Sequence, residues 1–466
     1  MSRLTVYLPE MLYAAGQAHT DSGLVVDESG HVTGIVPAAA LPRGAAVVRL
    51  PGKALFPGLA NAHSHTFQRL FRGRAEGRIS GGDTFWTWRE QMYRAAAFCS
   101  PEDLYDIARV TFLEMLQAGI TVVGEFHYLH RDPAGNSYSD PNLLAAKVIA
   151  AAQSVGIRIC LLRTAYFRAG FNLAPHPGQR RFYETPDEYL ANLTDLTNAA
   201  GPGVTIGAAP HSIRAVPLAQ IQSIAAEARH LSLPIHLHVS EQPAENTACQ
   251  AEYGPTPVTL LDAHGLLTPA TTLVHAIHLN DFEFTRVAAA QTTICSCPTT
   301  ERNLGDGIFP ADSAFRLGVS VAFGTDSQAQ IDLLEDARQL EYHLRLQDRE
   351  RGILDGSARD SWANRDAIGP ALLHSATAAG YRALGLPGGS LAPGDPADFF
   401  TIDLSDTSIL GLTPAELPTQ AVFALNRAAV RDVAVQGRIL LHDCQHPEAD
   451  SIRDRYLAVQ RRFLNH

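Results

Sequence analysis

Short blocks of apolar and polar residues alternate over the first 58 positions. Gly23–Asp27, Val32–Val36 and Ala46–Leu50 have the length and β-branched content of strands, and Glu28-Ser29-Gly30 makes a turn between the first two. From Leu59 onward the pattern changes to brief apolar runs separated by longer amphipathic stretches, as βα units around a parallel sheet require. The predicted strands are Ala60–Ala62, Val122–Phe126, Ile157–Leu162, Thr205–Ala209, Ile235–Val239, Thr272–His275, Thr293–Cys297 and Ser320–Gly324. Eight such units over about 260 residues fit a (β/α)8 barrel. After about residue 380 the β texture returns, with Ala397–Asp403 and Val430–Val435 as strands and a turn at Gly437. The prediction is an α/β fold: a TIM-type (β/α)8 barrel over residues 59–379, inserted in a composite β-sandwich domain made from residues 1–58 and 380–466.

A chain of 466 residues with 46% apolar and 18% charged residues can bury a large core, and no segment has the low hydrophobicity of long disorder. A formal charge of −11 argues against nucleic-acid or anionic-membrane partners, which need dense Lys/Arg patches, but a few arginines inside a cleft still bind a small anion. The six cysteines are scattered, and Cys295 and Cys297 have one residue between them, which is no zinc-ribbon spacing. They are expected to be reduced and packed. The start, MSRLTVYLPE, lacks a basic region followed by an apolar stretch, and no run of about 18 apolar residues occurs, so a cytoplasmic location is expected.

Chemistry concentrates at predicted strand ends. His63 and His65 lie two apart in Asn61-Ala62-His63-Ser64-His65, which on a strand directs both side chains to one face. Ile235–Val239 carries His238, Thr272–His275 ends in histidine, and Val321-Ala322-Phe323-Gly324-Thr325 leads to Asp326. In a barrel the C-terminal ends of the strands carry the active site. Each residue alone reads as an ordinary hydrogen-bonded core or loop group. Together, imidazoles and a carboxylate form a borderline N/O donor set that suits one divalent ion, with Zn2+ the natural occupant and Fe2+ or Mn2+ as alternatives.

These residues resemble the amidohydrolase superfamily, and within it the mononuclear deaminase branch. The resemblance rests on Pro57-Gly58-Leu59-Ala60-Asn61-Ala62-His63-Ser64-His65, on His238-Val239-Ser240-Glu241, on His275 and Asp326, and on Gly389-Ser390-Leu391-Ala392-Pro393-Gly394-Asp395-Pro396-Ala397-Asp398. It implies His63, His65, His238 and Asp326 as metal ligands, Asp326 and His275 as groups that handle the attacking water, and Glu241 as the shuttle that protonates the departing nitrogen. The strand end Val123-Gly124-Glu125-Phe126-His127 carries no lysine of the kind that bridges two metals in binuclear members, so a single ion is expected.

Longer segments narrow the substrate. His63-Ser64-His65-Thr66-Phe67-Gln68-Arg69, Asp83-Thr84-Phe85-Trp86-Thr87-Trp88-Arg89-Glu90, Glu125-Phe126-His127-Tyr128, His211-Ser212-Ile213-Arg214-Ala215-Val216 and Asn303-Leu304-Gly305-Asp306-Gly307-Ile308-Phe309-Pro310 are similar to those of members that hydrolyse N-formimino-L-glutamate to N-formyl-L-glutamate and ammonia in histidine breakdown. The resemblance implies that Gln68, Arg89, Tyr128, His211 and Arg214 bind a small dicarboxylate, and that the chain forms a homodimer. Planar, bidentate arginine suits carboxylates. Residues 299–307, with two glycines, are expected to be a mobile loop over the substrate. Two competitors are a deaminase of a purine, pyrimidine, pterin or triazine ring, and a metal-free barrel without catalysis.

Overall fold

The computed structural model describes residues 3–76, 85–355 and 368–465; Asp83 and Thr84 of the quoted Asp83–Glu90 segment lie outside them. Two eight-stranded sheets organise the chain. The first combines both chain ends: β1 (Thr5–Ala14), β2 (Gln17–Thr20), β3 (Ser22–Val26), β4 (Val32–Pro37) and β5 (Ala46–Pro57) from one side. The other side adds β14 (Phe399–Asp403), β15 (Val430–Val435) and β16 (Arg438–Leu441). Its strand order is β16-β15-β14-β5-β1-β3-β4, with β2 on β1. The two ends meet where β14 runs antiparallel to β5, stacking Phe56 on Phe400 at 5.3 Å between ring centroids. The strands make one continuous hydrogen-bonded sheet; alternating hydrophobicity alone does not separate that from the predicted sandwich.

The second sheet is the barrel: β6 (Leu59–Ser64), β7 (Ile120–His127), β8 (Arg158–Ala165), β9 (Val204–Pro210), β10 (Ile235–Val239), β11 (Thr271–His275), β12 (Thr293–Ser296) and β13 (Ser320–Phe323). Neighbours are parallel and follow chain order. Each strand is buried along almost its whole length, because helices cover the outer face and side chains fill the inner one. The ring closes at the functional end: Ser64 bridges Asp326, His65 N–H donates to the Asp326 carbonyl at 3.0 Å and Asp326 N–H to the His63 carbonyl at 3.0 Å. Gly324 is required there, since a Cβ would stand 2.7 Å from the His63 Cβ and 2.8 Å from its carbonyl oxygen.

Helices also occur in the C-terminal region, which the sequence pattern presents as β. Ala449–Leu464 places Ile452, Tyr456, Val459 and Phe463 on one buried stripe and packs against Pro101–Leu116 beside the barrel. The cysteines are all free thiols, five of them buried. Among the described residues no helix is long and apolar enough to cross a membrane.

Candidate metal centre and active site

His63 lies in β6, one residue before its end, His238 lies in β10, and Asp326 follows β13, so three strands deliver groups to one point. The possible ligand atoms of His63, His65, His238 and Asp326 all lie within 4.8 Å of one another, and all four residues are buried. His63 Nε2 is 3.2 Å from His65 Nε2 and 3.1 Å from His238 Nε2. Asp326 Oδ1 is 3.3 Å from His63 Nε2 and 3.2 Å from His65 Nε2.

The tautomers follow from the far side of the rings. His65 Nδ1 lies 2.9 Å from the Phe126 carbonyl and His238 Nδ1 3.0 Å from the His211 carbonyl. A carbonyl only accepts, so each Nδ1 holds a proton and each Nε2 turns a lone pair inward. Burial pushes the His63 imidazole down to about 3 and holds His238 well below the ordinary range, which keeps both neutral. Facing lone pairs and an anion at about 3 Å repel one another unless a cation lies between them. The arrangement therefore fits a divalent ion with three nitrogen donors and one oxygen donor.

A carboxylated lysine that would bridge a second metal has no source. The chain contains two lysines, Lys53 and Lys147; Lys53 pairs with Asp432 and Asp443 in the terminal sheet, and Lys147 pairs with Glu102. The end of β7 carries Glu125, whose oxygens accept from Ser64 Oγ at 2.8 Å, Thr66 N at 2.8 Å and Thr66 Oγ1 at 2.7 Å. Glu125 thus grips the chain on both sides of His65. A second polar relay, Asn61 to Thr325 to Gln328 to Ser64, ties the His63 strand to the Asp326 strand.

His275 ends β11 with Nε2 3.8 Å from Asp326 Oδ2 and 3.8 Å from Glu241 Oε1. Its other nitrogen lies 3.3 Å from Glu301 Oε1. Burial disfavours the charged ring, but Glu241, Glu301 and Asp326 prevail and raise its pKa well above the ordinary value. Glu301 is itself fixed by Ser296 Oγ and the Cys297 N–H. Ser240, His275 and Asp326 have φ of 49°, 70° and 44°, the left-handed region that costs non-glycine residues roughly 1–3 kcal/mol each and that recurs at functional sites.

All five residues expected at the substrate line one pocket with this cluster. Gln68, Arg89, Tyr128, His211 and Arg214 share its wall with His65, His238, Glu241, His275 and Asp326, and Trp88, Met92, Tyr166, Phe182 and Leu304 complete it. Gln68 Nε2 donates to Tyr128 Oη at 2.8 Å. Tyr166, Phe182 and Glu301 escaped sequence reasoning as site residues, although Tyr166 follows β8 directly, the same signal that marked His275. The expected mobile loop over 299–307 is corrected: Pro298–Leu304 is a helix, with Pro298 opening it, Gly305 in the left-handed conformation closing it, and Glu301 buried under His275. A larger cavity of about 750 Å³ opens at the opposite, N-terminal ends of β9, β10 and β11. Alkyl groups dominate it and only Arg229 and Arg382 bring charge, so size does not locate the chemistry.

The Amidohydrolase family model matches residues 54–440. A formimidoylglutamate deiminase of Pseudomonas aeruginosa is 41% identical over 397 residues, covering 85% of this chain and 86% of its own. A 5-methylthioadenosine/S-adenosylhomocysteine deaminase of Shouchella clausii is 28% identical, covering 91% of this chain and 90% of its own. Among solved structures, an amidohydrolase from Brucella melitensis superposes with a TM-score of 0.89 at 31% identity, covering 99% of this chain and all of that one. With the barrel, the donor cluster and these matches in agreement, the chain belongs to the amidohydrolase family, metal-dependent hydrolases that act on C–N bonds.

Proposed function

We propose that this protein hydrolyses N-formimino-L-glutamate to N-formyl-L-glutamate and ammonia. The observation that carries the reading is one pocket lined by His65, His238 and Asp326 of the donor cluster together with two arginines, Arg89 and Arg214, with His63 buried against those donors. A substrate with two carboxylates and a formimino group needs cationic anchors and a hydrolytic centre in one cavity. The 41% identical deiminase points to the same substrate.

In this reading His63, His65, His238 and Asp326 hold one ion, Zn2+ by the chemistry of the donors, with Fe2+ or Mn2+ as alternatives. The ion supplies Lewis-acid activation that makes water a nucleophile at neutral pH. Asp326 accepts the water proton. His275, oriented by Glu301, steadies the attacking oxygen and the charge that builds at the formimino carbon. Glu241, buried 3.8 Å from His275, carries a proton to the terminal nitrogen so that it leaves as ammonia. Gln68, Arg89, Tyr128, His211 and Arg214 bind the glutamate portion. A role in histidine breakdown, a cytoplasmic location and a homodimer belong to the same reading, with no nucleic acid or membrane as partner.

Ammonia release from N-formimino-L-glutamate, guanine, cytosine and adenosine, each with unaltered protein and with Arg89→Met and Arg214→Met, tests it. Formiminoglutamate as the favoured substrate, with KM raised in both variants, is expected. Preference for a ring substrate, untouched by the arginine changes, overturns it in favour of a heterocycle deaminase.

A further inference from the structure

Tyr166 lines the pocket one residue beyond β8, and Gln179 and Tyr93 are buried with it. Gln179 Nε2 donates to Tyr93 Oη at 2.9 Å and to Tyr166 Oη at 3.0 Å. The orientation of this amide is fixed, because Gln179 Oε1 accepts the His176 backbone N–H at 3.1 Å and a backbone N–H can only donate. Both Nε2 hydrogens are spent on the two phenol oxygens. Each phenol therefore accepts from Gln179 and must send its own hydrogen elsewhere.

Among the described residues neither phenol donates to any acceptor. Burial keeps both protonated, pushing Tyr93 up to about 12 and raising Tyr166, while Arg89 and Arg214 act on both rings as nearby cations. The guanidinium of Arg89 lies 5.5 Å from the Tyr93 ring centre. A buried O–H without an acceptor costs stability until a ligand satisfies it. Beside two arginines, the matching acceptor is an anion with lone pairs to spare, and a carboxylate offers about four such sites, of which one bidentate arginine occupies two.

We propose that Tyr166, made an obligatory donor by Gln179, is a further carboxylate-binding group of this site. The assignment rests on the dicarboxylate reading above and identifies Gln179 as a positioning residue. Gln68 and Tyr128 make a useful contrast: the Gln68 oxygen has no partner among the described residues, so nothing fixes that amide.

Titration calorimetry of metal-replete protein with N-formyl-L-glutamate tests the assignment, with turnover of N-formimino-L-glutamate followed separately. Tyr166→Phe deletes only the hydroxyl, and Gln179→Glu places an oxygen where Nε2 stood, so that it captures the phenol hydrogens. Each should weaken binding about 10- to 100-fold, the range for one hydrogen bond to a charged group. In turnover, KM should rise while kcat stays close to its starting value, as for binding equal in ground and transition states. Should Tyr166→Phe fail to fold, Gln179→Glu decides. Binding within about twofold of the unaltered protein in a folded variant overturns the proposal. So does unaltered protein that binds neither N-formyl-L-glutamate nor L-glutamate. If unaltered protein binds the formyl dicarboxylate, loses it in the variants, yet does not hydrolyse formiminoglutamate, the proposed reaction fails and the Tyr166 assignment stands.

Discussion

Replacing Glu125 by glutamine probes how the metal motif is held, because the change keeps the shape of the side chain while removing its carboxylate and changing its hydrogen bonding. Glu125 Oε1 accepts two hydrogens from Thr66, and Oε2 accepts one from Ser64. In Glu125→Gln the remaining oxygen can keep both Thr66 contacts, which turns the new amide nitrogen toward Ser64 Oγ. That hydroxyl already accepts from Gln328 Nε2 at 2.7 Å and has a second lone pair for the amide, but its own hydrogen then has no acceptor. Two buried donors, the Ser64 hydroxyl and the second amide hydrogen, are left unsatisfied, which costs about 1–3 kcal/mol of folding stability each. The larger effect falls on the metal, since groups that orient ligands typically contribute about 10- to 100-fold in affinity. Thermal melting of the metal-free protein reads the first number, and competition with a zinc chelator reads the second. A variant that melts lower but holds zinc as tightly as the parent would refute the view that Glu125 positions His65 and would reduce it to a fold residue.

Three other outcomes follow from buried ionisable groups. Arg163 is wholly buried and bidentate to Glu184 at 2.6 and 2.9 Å, so Glu184→Gln should cost about 3–5 kcal/mol in urea unfolding by leaving a buried charge uncompensated. Burial disfavours ionised Glu184, but His130 and Arg163 prevail and hold it at about 2. A depressed folded value means stability present above the ordinary 4.5 and lost as pH falls toward about 2, worth about 3 kcal/mol, and the acid limb of the melting profile should flatten in the variant. Glu245 runs the other way: burial pushes it up to about 7 despite Arg214, so the native state binds the proton more tightly. Stability should fall by about 3 kcal/mol as pH rises from 4.5 to about 7, and Glu245→Gln should remove that slope in melting temperature; an unchanged slope rejects the assignment. Glu241→Gln should keep one metal ion per chain by elemental analysis while kcat falls about 10²- to 10⁴-fold.

The parts legible in the sequence are those where one residue type interrupts a local pattern. His238, His275 and Asp326 stand at the ends of apolar strands, where a polar group has no reason to lie in a core, and the barrel gathers those ends. The long strand β1 was hidden because Pro9 breaks its apolar run, at the point where its pairing with β5 shifts register. The helix Ala449–Leu464 has a clear i, i+4, i+7 stripe, masked by the β texture just before it. Pro298 and Gly305 carried helix start and stop signals, but the two glycines at 305 and 307 pointed to a loop. Tyr166 shows a different limit. Its donor role is set by Gln179, thirteen residues away, whose own amide is fixed by the His176 backbone, and no linear pattern encodes that chain of hydrogen bonds.

The most direct test of the account follows both products when protein carrying one equivalent of zinc meets N-formimino-L-glutamate. Ammonia and N-formyl-L-glutamate should appear in equal amounts, cease when a chelator strips the metal, and return when zinc is restored. Equal turnover before and after complete metal removal, or metal-replete protein that leaves formiminoglutamate intact, would contradict it.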